Sequence, residues 1–495
     1  MHGVIPFEAI PGIPPLFLAF VRGQAPGFFP DPPTSAAVDE RARELLRRRG
    51  GAVVAAGQQA GLFGGPLLSL TKAAAVARLA REMRERGIEA RGVFWVASED
   101  HDLHEVAQAT LIVKGAPEKV ALPVPGKNFQ PAGTFAVPGE IATIFATLRE
   151  DPAVPSDILA RFEETWKAGR TFAEAFHGTL EVLLPGGTLE WVDPLEGRWR
   201  AEEVEFFRRV FRRAGEVVSA LDSIDGKLRD AGHGPQVARA EHDFPAFVIE
   251  EGVRRKISWN GREFSVHGHG GAFTAESLLE LVSEKENRPS AAALLRPVLQ
   301  SHLFPVAAEI LGPSELAYHA QTAPLFDVLD TARPVFLPRP HLLPRGARER
   351  RALEALGIAD ADLFRLREAA PADVPAVSPK IQALEAEIAE RIGGLAGDVR
   401  SVDPTLEPVL SGAAEKISHQ LSRLREKVER AAERRDVERV RRLETIETFL
   451  TPGHAPADRI YGPLTYLLRF GDGFAPAILK EAECRADGAR FVDFE

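Results

Sequence analysis

Three carboxylates and an imidazole stand side by side at Ser98-Glu99-Asp100-His101-Asp102. Acids flanking a histidine can raise its pKa and make it a proton donor or acceptor near neutral pH, with Asp100 or Asp102 holding the ring. The same oxygens could hold Mg²⁺, a hard cation that usually keeps waters and substrate phosphates in its shell. A capped helix start is the plainer alternative, since Ser98 and the aspartates are good N-caps and acids suit a first turn. These possibilities are compatible with one another.

A second group, Gly57-Gln58-Gln59-Ala60-Gly61-Leu62-Phe63-Gly64-Gly65, is a glycine loop running toward a helix start. Glycines permit positive φ and close backbone approach, and a helix N-terminus offers free N–H groups to an anion. The spacing matches neither the dinucleotide fingerprint nor the Walker A pattern, and a tight packing turn is the alternative. The paired glutamines favour amide contacts to a ligand. Lys72, on the following helix, could reach a phosphate or simply be solvated. A third loop, Gly312-Pro313-Ser314-Glu315, precedes Tyr318, His319 and Gln321. Pro313 suits the first helical position, and Glu315 could serve only the helix dipole. Arg296 and Arg339 are candidates for bidentate recognition of carboxylate or phosphate, although each alone would also suit a structural ion pair. Asn287, Arg288 and Gln300 add polar groups nearby, and His267-Gly-His269 is assigned no role.

The elements needed to position these groups can be read from local pattern. Ala52–Ala56 and Gly92–Ala97 are short apolar runs suited to buried strands, and Leu67 onward is a helix stopped at Gly87. Strand, glycine loop, helix and strand within about fifty residues form a parallel βαβ unit, and in such sheets ligands bind beyond the carboxyl ends of the strands. The pattern recurs with a strand at Val306–Ile310, the Gly312 loop, a helix from Leu316 to about Leu329, and a strand at Pro334–Leu337 that ends near Arg339. The two units are expected to share one sheet. Between them, residues 116–290 read as an inserted α+β region outside that sheet, with helices near 156–184 and 198–230. Residues 1–115 and 291–375 are then the two core halves. In 376–450, apolar residues at alternating three- and four-residue steps (Ile381, Leu384, Ile388, then Ile417, Leu421, Leu424) predict an antiparallel coiled-coil hairpin. It would serve as a dimerisation arm or as a lid on its own core, with the narrow apolar stripe favouring the arm. Residues 451–495 are expected to return to the core. The fold class is thus α/β, a Rossmann-like parallel-sheet core with an inserted α+β region and a helical coiled-coil arm.

Bulk properties narrow the function classes. With 45% apolar and 27% charged residues the chain is globular, and a net charge of -10 offers no global case for nucleic acid or an anionic membrane. One cysteine, Cys484, excludes an intrachain disulfide framework and a cysteine zinc site. No apolar run reaches the length of a membrane span, so a cytoplasmic protein is expected.

The motifs GQQAGL (57–62), GPL (65–67) and TK (71–72), followed by FWVASEDHD (94–102), resemble the bacillithiol-synthesis cysteine ligase family, BshC. The likeness continues through LRPVLQ (295–300), GPSELAY (312–318), Pro338-Arg339 and Asp458-Arg459-Ile460, with His319 standing where that family has an aromatic residue. It implies attachment of L-cysteine to glucosaminyl-malate (GlcN-Mal) through an amide, giving bacillithiol. It also implies a Rossmann-like core, a coiled-coil arm, a homodimer and an adenine-nucleotide pocket. Activating a free carboxylate points to ATP, with Mg²⁺ a possible companion. On that footing His101, with Glu99, Asp100 and Asp102, would manage the amine's proton. The Gly57–Gly65 loop, Lys72, Ser98 and the Gly312–Gln321 segment would bind substrate or nucleotide, and Arg296 or Arg339 the malate carboxylates. A Mg²⁺-dependent nucleotidyltransferase or hydrolase, or a non-catalytic nucleotide-binding dimer, are the alternatives.

Overall fold

The computed structural model describes residues 4–125, 129–184, 186–187, 189–370, 377–403, 406–433 and 437–495. These divide into one unit of residues 1–344 with 455–494, and a second of residues 345–454.

The first unit is built on a five-stranded parallel sheet. Its strands are β1 (Val53–Gln58), β2 (Arg91–Val96), β3 (Glu190–Val192), β8 (Val306–Leu311) and β9 (Val335–Pro338), in the order β9-β8-β1-β2-β3. The apolar runs form strands because both faces are covered, and Val53, Val54, Val93, Phe94 and Ile310 are fully or almost fully buried. Helix α1 (Leu67–Glu85) crosses from β1 to β2 and ends as expected, with Gly87 at φ 76° just beyond the cap. β1 runs two residues further than its apolar core suggests. Gly57 still pairs with Trp95, and a Cβ there would lie 3.0 Å from the Trp95 carbonyl, so only glycine fits comfortably. The two βαβ units do share one sheet, because β8 pairs directly with β1.

The segment between the core halves differs from expectation at one point. β3, drawn from it, pairs in parallel with β2 and so belongs to the core sheet. Three residues, Glu-Trp-Val, are too few to show a period, which is why the sequence hides this strand. The rest of the segment contributes a separate antiparallel sheet, β7-β4-β5-β6, of β4 (Asp243–Glu250), β5 (Val253–Trp259), β6 (Phe264–Val266) and β7 (Arg288–Ala291). Each of the two helical stretches read from the sequence is a pair of helices, Ser156–Thr165 with Phe172–Leu183 and α2 (Arg200–Arg212) with Ala214–Asp230, and the segment adds the helices Ile141–Arg149 and Ala275–Ser283. The first pair is interrupted because Thr171 and Glu174 form a capping box that starts a new helix.

In the second unit, α5 (Ser378–Gly394) and α6 (Glu407–Glu433) pack against each other. Ser418 donates to Glu385 at 2.6 Å, and Arg400 pairs with Glu407 nearer the turn, so the two run antiparallel. Among the described residues, no helix is long and apolar enough to cross a membrane.

Candidate functional site

In the sheet order the chain moves outward from β1 through β2 to β3, then returns to the other side of β1 at β8. The carboxyl ends of β1 and β8 therefore diverge, and such a switch point leaves a crevice where open α/β sheets bind ligands. A cavity of ≈ 210 Å³ occupies it. Gly57 and Gln58 of β1 with Gln59 just beyond it, Trp95 of β2 with Ala97 just beyond it, and Glu309 and Leu311 of β8 form its floor. The walls come from Asp100, from Ala293, Arg296, Pro297 and Gln300 around helix α3 (Arg296–Leu303), and from Glu315 and Tyr318 on helix α4 (Pro313–Val328). Of the residues singled out in the sequence, Gly57, Gln58, Gln59, Asp100, Arg296, Gln300, Glu315 and Tyr318 thus meet in one place.

Arg296 sits at the first position of α3 and grips Asp100 with both terminal nitrogens. A second guanidinium, Arg254 on β5, donates to the same carboxylate at 3.2 Å. Burial alone would push the Asp100 carboxyl up, but the two arginines reverse that and hold it below the ordinary range. Burial likewise opposes the Arg296 charge, yet Asp100 and Glu99 hold that guanidinium above its usual value. Arg254 is anchored in turn by Ser290 and the Ala291 carbonyl, each at 3.0 Å. With Asp100 engaged by two cations, the Ser98–Asp102 loop does not fit a metal centre. Among the described residues no group of three or more His, Cys, Asp or Glu could hold one.

Lys72 is buried beneath the cavity rather than solvated or extended toward a phosphate. Its ammonium donates to the Gly57 carbonyl at 2.9 Å, to Gln58 Oε1 at 2.9 Å and to the Glu315 carboxylate at 2.6 Å. Burial lowers this lysine, with Glu315 pulling it back toward the charged form. The three bonds use all three ammonium donors, so Gln58 is held by its oxygen and its NH₂ is left for other partners. Glu315 also accepts from the Gly312 N–H at 2.6 Å, which closes the N-terminus of α4.

The glycine loop does not serve as an anion cradle. Residues Ala60–Gly65 are buried, and Phe63 adopts φ 55° inside a short 3-10 turn. The N–H groups of Gly61, Gly64 and Gly65 donate within the loop, and that of Leu67 donates to Tyr461 at 2.8 Å. Gly61 and Gly65 pack so closely that a Cβ on Gly61 would lie 2.8 Å from the Gly65 Cα. Close packing, not phosphate binding, explains these glycines.

Several other candidates lie outside the cavity. Ser98 is buried and donates to Asp193, and Glu99 accepts from Ser290 at 3.2 Å, with burial pushing its carboxyl up. Asp102 is exposed at the start of a four-residue helix and makes no side-chain cap. His101 is not held by either aspartate. Its Nδ1 faces Arg254 Nη1 at 3.4 Å and its ring packs on Phe129 and Phe247. Burial and the Arg254 charge lower the imidazole, contrary to the rise expected from flanking acids, because they outweigh the pull of Asp102 and Asp100. Gln321 ties α4 to Asp225 at 2.8 Å and to the Val237 backbone, so it is structural. Arg339 is buried against Asp458 at 2.7 Å instead of facing a substrate.

Sequence reasoning passed over Glu309, Trp95 and Arg254. Glu309 had a signal, a carboxylate inside the otherwise apolar strand Val306-Ala-Ala-Glu-Ile-Leu311, two residues from Leu311 and so on its face. Its Oε2 lies 3.4 Å from Nε2 of His319, itself buried on α4. Trp95 looked like ordinary strand core. Arg254 had almost no signal, standing beside Arg255 and Lys256 in a polar strand whose pairing is nonlocal.

Residues 34–340 match the family described as "Bacillithiol biosynthesis BshC, N-terminal Rossmann-like domain", and residues 358–485 match its "C-terminal coiled-coil domain". A protein named "Putative cysteine ligase BshC" in Solibacter usitatus is 30% identical over 427 residues, 84% of this chain and 80% of the relative. Proteins of the same name in Koribacter versatilis and Geobacillus kaustophilus are 30% and 28% identical, over 86% and 88% of this chain and 81% and 83% of theirs. A crystal structure described as a "putative arginyl t-RNA synthetase" from Campylobacter jejuni aligns over 91% of this chain and 99% of its own at 10% identity. Its TM-score of 0.26 carries no argument. With the parallel sheet, the switch-point cavity and the helical hairpin in place, the chain belongs to the BshC family of bacillithiol biosynthesis.

Proposed function

We propose that this protein is a carbon–nitrogen ligase that joins the carboxylate of L-cysteine to the amine of GlcN-Mal, forming bacillithiol. The observation that carries this is the presence of both Arg296 and Glu309 in the lining of one small switch-point cavity. A guanidinium and a carboxylate in one cavity suit substrates bearing both an acid and an amine. Family membership supplies the choice of cysteine, since the relatives bear that name.

Amide formation from a free carboxylate needs a better leaving group than oxide, and ATP is the reagent we assign to that step, with Mg²⁺ entering on its phosphates. The turned-in N–H groups of Gly61, Gly64 and Gly65 do not fit a phosphate site, and the Ser98–Asp102 loop does not fit a metal site, so the nucleotide is not routed through them. In the cavity Arg296, the Gln58 NH₂ and the Tyr318 hydroxyl are the groups able to meet an anionic oxygen. Burial keeps the Tyr318 phenol protonated, well above its ordinary pKa, so it acts as a donor.

The helical hairpin is assigned to homodimer formation. Leu384, Leu395, Val409 and Leu424 are 44%, 49%, 64% and 48% exposed, an apolar display on otherwise charged helices that a second copy would cover. A cytoplasmic setting accords with a reaction that consumes ATP and a free thiol. Calorimetry with ATP, cysteine and GlcN-Mal, singly and together, tests the assignment. A ligase binds all three, whereas a nucleotidyltransferase or hydrolase turns over nucleotide without cysteine, and a nucleotide sensor binds ATP alone.

A further inference from the structure

We propose that Glu309 accepts the amine proton during ligation and that His319, behind it, takes the proton onward. This rests on the ligase assignment and gives the chemistry of that cavity a named base.

Three carboxylates line the cavity: Asp100, Glu309 and Glu315. Asp100 is held by Arg254 and Arg296, and Glu315 by Lys72 and the Gly312 N–H, so neither has a basic oxygen to spare. Glu309 differs. Among the described residues no lysine or arginine lies within ion-pair distance of it, and its partner is His319 Nε2 at 3.4 Å. The imidazole is set for this task by its other nitrogen. His319 Nδ1 lies 2.7 Å from the Glu315 carbonyl, one helical turn back. A carbonyl only accepts, so Nδ1 carries hydrogen and Nε2 is the nitrogen turned to Glu309. Nε2 has no hydrogen-bond partner, and the ring is fixed by stacking on Tyr318 at 4.8 Å and by the Phe336 edge at 5.0 Å. Glu309 itself is rigid, on a strand flanked by Ala55 of β1 and Phe336 of β9. The charged and titratable groups around the pair are Lys72 with Glu315, Tyr318, and Arg296 with Asp100.

In the step, the amine nitrogen, arriving as free base, attacks the carbonyl carbon of the cysteine acyl group activated by ATP. The nitrogen–carbon bond forms, and the bond to the phosphate-bearing oxygen breaks with its electron pair. The proton released from nitrogen passes to the Glu309 carboxylate, and from Oε2 toward His319 Nε2. A positioned base of this kind contributes about 10²–10⁴-fold to rate.

Two measurements on the full chain test this. In protein labelled with ¹⁵N-histidine, with His319 assigned by His319→Gln, the ring should carry hydrogen at Nδ1, and Glu309→Gln should shift the Nε2 resonance. A neutral ring with hydrogen at Nε2, or an Nε2 signal indifferent to Glu309→Gln, would overturn the pair without any substrate present. In amide-formation kinetics, Glu309→Gln should lower kcat at least 100-fold with KM within threefold, and Glu309→Asp should recover part of the loss. His319→Gln should cost about tenfold alone and nothing further when added to Glu309→Gln. Normal wild-type turnover with Glu309→Gln within threefold would overturn the proton role alone. No amide from the wild-type protein would overturn the ligase assignment, and the proton role with it.

Discussion

Lys72 Nζ donates to the side-chain oxygen of Gln58 at 2.9 Å, and this bond decides which end of the amide is left for the cavity. On the proposed function, a lysine within the sheet's helical cover thereby supports substrate recognition without touching substrate. Lys72→Met leaves Gln58 free to turn and Glu315 without its cation. Breaking such a pair costs about 3–5 kcal/mol when fully buried, and about 2 kcal/mol is expected here because Glu315 is partly exposed. Urea unfolding should show that loss. Among molecules still folded, KM for the carboxylate substrate should rise about tenfold, the effect of one lost hydrogen bond.

Arg296 holds Asp100 through a two-pronged contact, while Arg254 reaches the same carboxylate from β5. Lysine is a point charge and cannot reproduce the fork. Arg296→Lys should therefore weaken binding of the carboxylate substrate by about tenfold or more in calorimetry, while leaving the unfolding midpoint nearly unchanged. An unaltered Kd would remove Arg296 from recognition.

The Arg339–Asp458 pair lies fully inside the fold, at 2.7 Å. Its loss should be felt in stability and not in binding. Arg339→Met should destabilise by about 3–5 kcal/mol, because Asp458 remains buried without its cation. Substrate Kd values measured below the unfolding transition should match the wild type.

Glu203 on α2 is buried, and burial first, then the nearby Glu99 charge, pushes its carboxyl up to about 8. A folded-state pKa above the unfolded one means that the native state binds the extra proton. This contribution to stability is complete below about pH 4.5 and is lost as pH rises toward 8. Within that window the slope is about 1.4 kcal/mol per pH unit for this group. Glu203→Gln should flatten the fall in stability between pH 5 and about 8, with the variant the more stable of the two at the alkaline end. Thermal melts across that range check it.

How much of this was legible depended on distance along the chain. The β1–α1–β2 unit and the Gly87 stop were readable because apolar runs and glycine punctuation are local signals. The helical hairpin was readable for the same reason. The cavity's place was readable too, through the rule that ligands gather at strand ends. What failed were inferences that treated neighbours in sequence as neighbours in chemistry. Asp100, His101 and Asp102 are consecutive, yet Asp100 faces Arg296 inside the cavity, His101 faces Arg254, and Asp102 faces solvent. Lys72 looked like a surface lysine because its three acceptors come from β1 and from α4, the latter 243 residues away. Gly61 and Gly65 carried the appearance of a phosphate loop, but their N–H groups and close packing are spent on the turn itself. Glu309 stood out in its apolar strand, but its place in the cavity followed only from β8 pairing beside β1.

The central claim, that the Arg296–Glu309 cavity makes an amide from cysteine and an amino sugar, is tested most directly by product. Purified protein with ATP, Mg²⁺, L-cysteine and GlcN-Mal should yield bacillithiol by mass spectrometry, with nucleotide consumed in step and product lost in Glu309→Gln. Nucleotide consumption without cysteine, or no amide under these conditions, would contradict it.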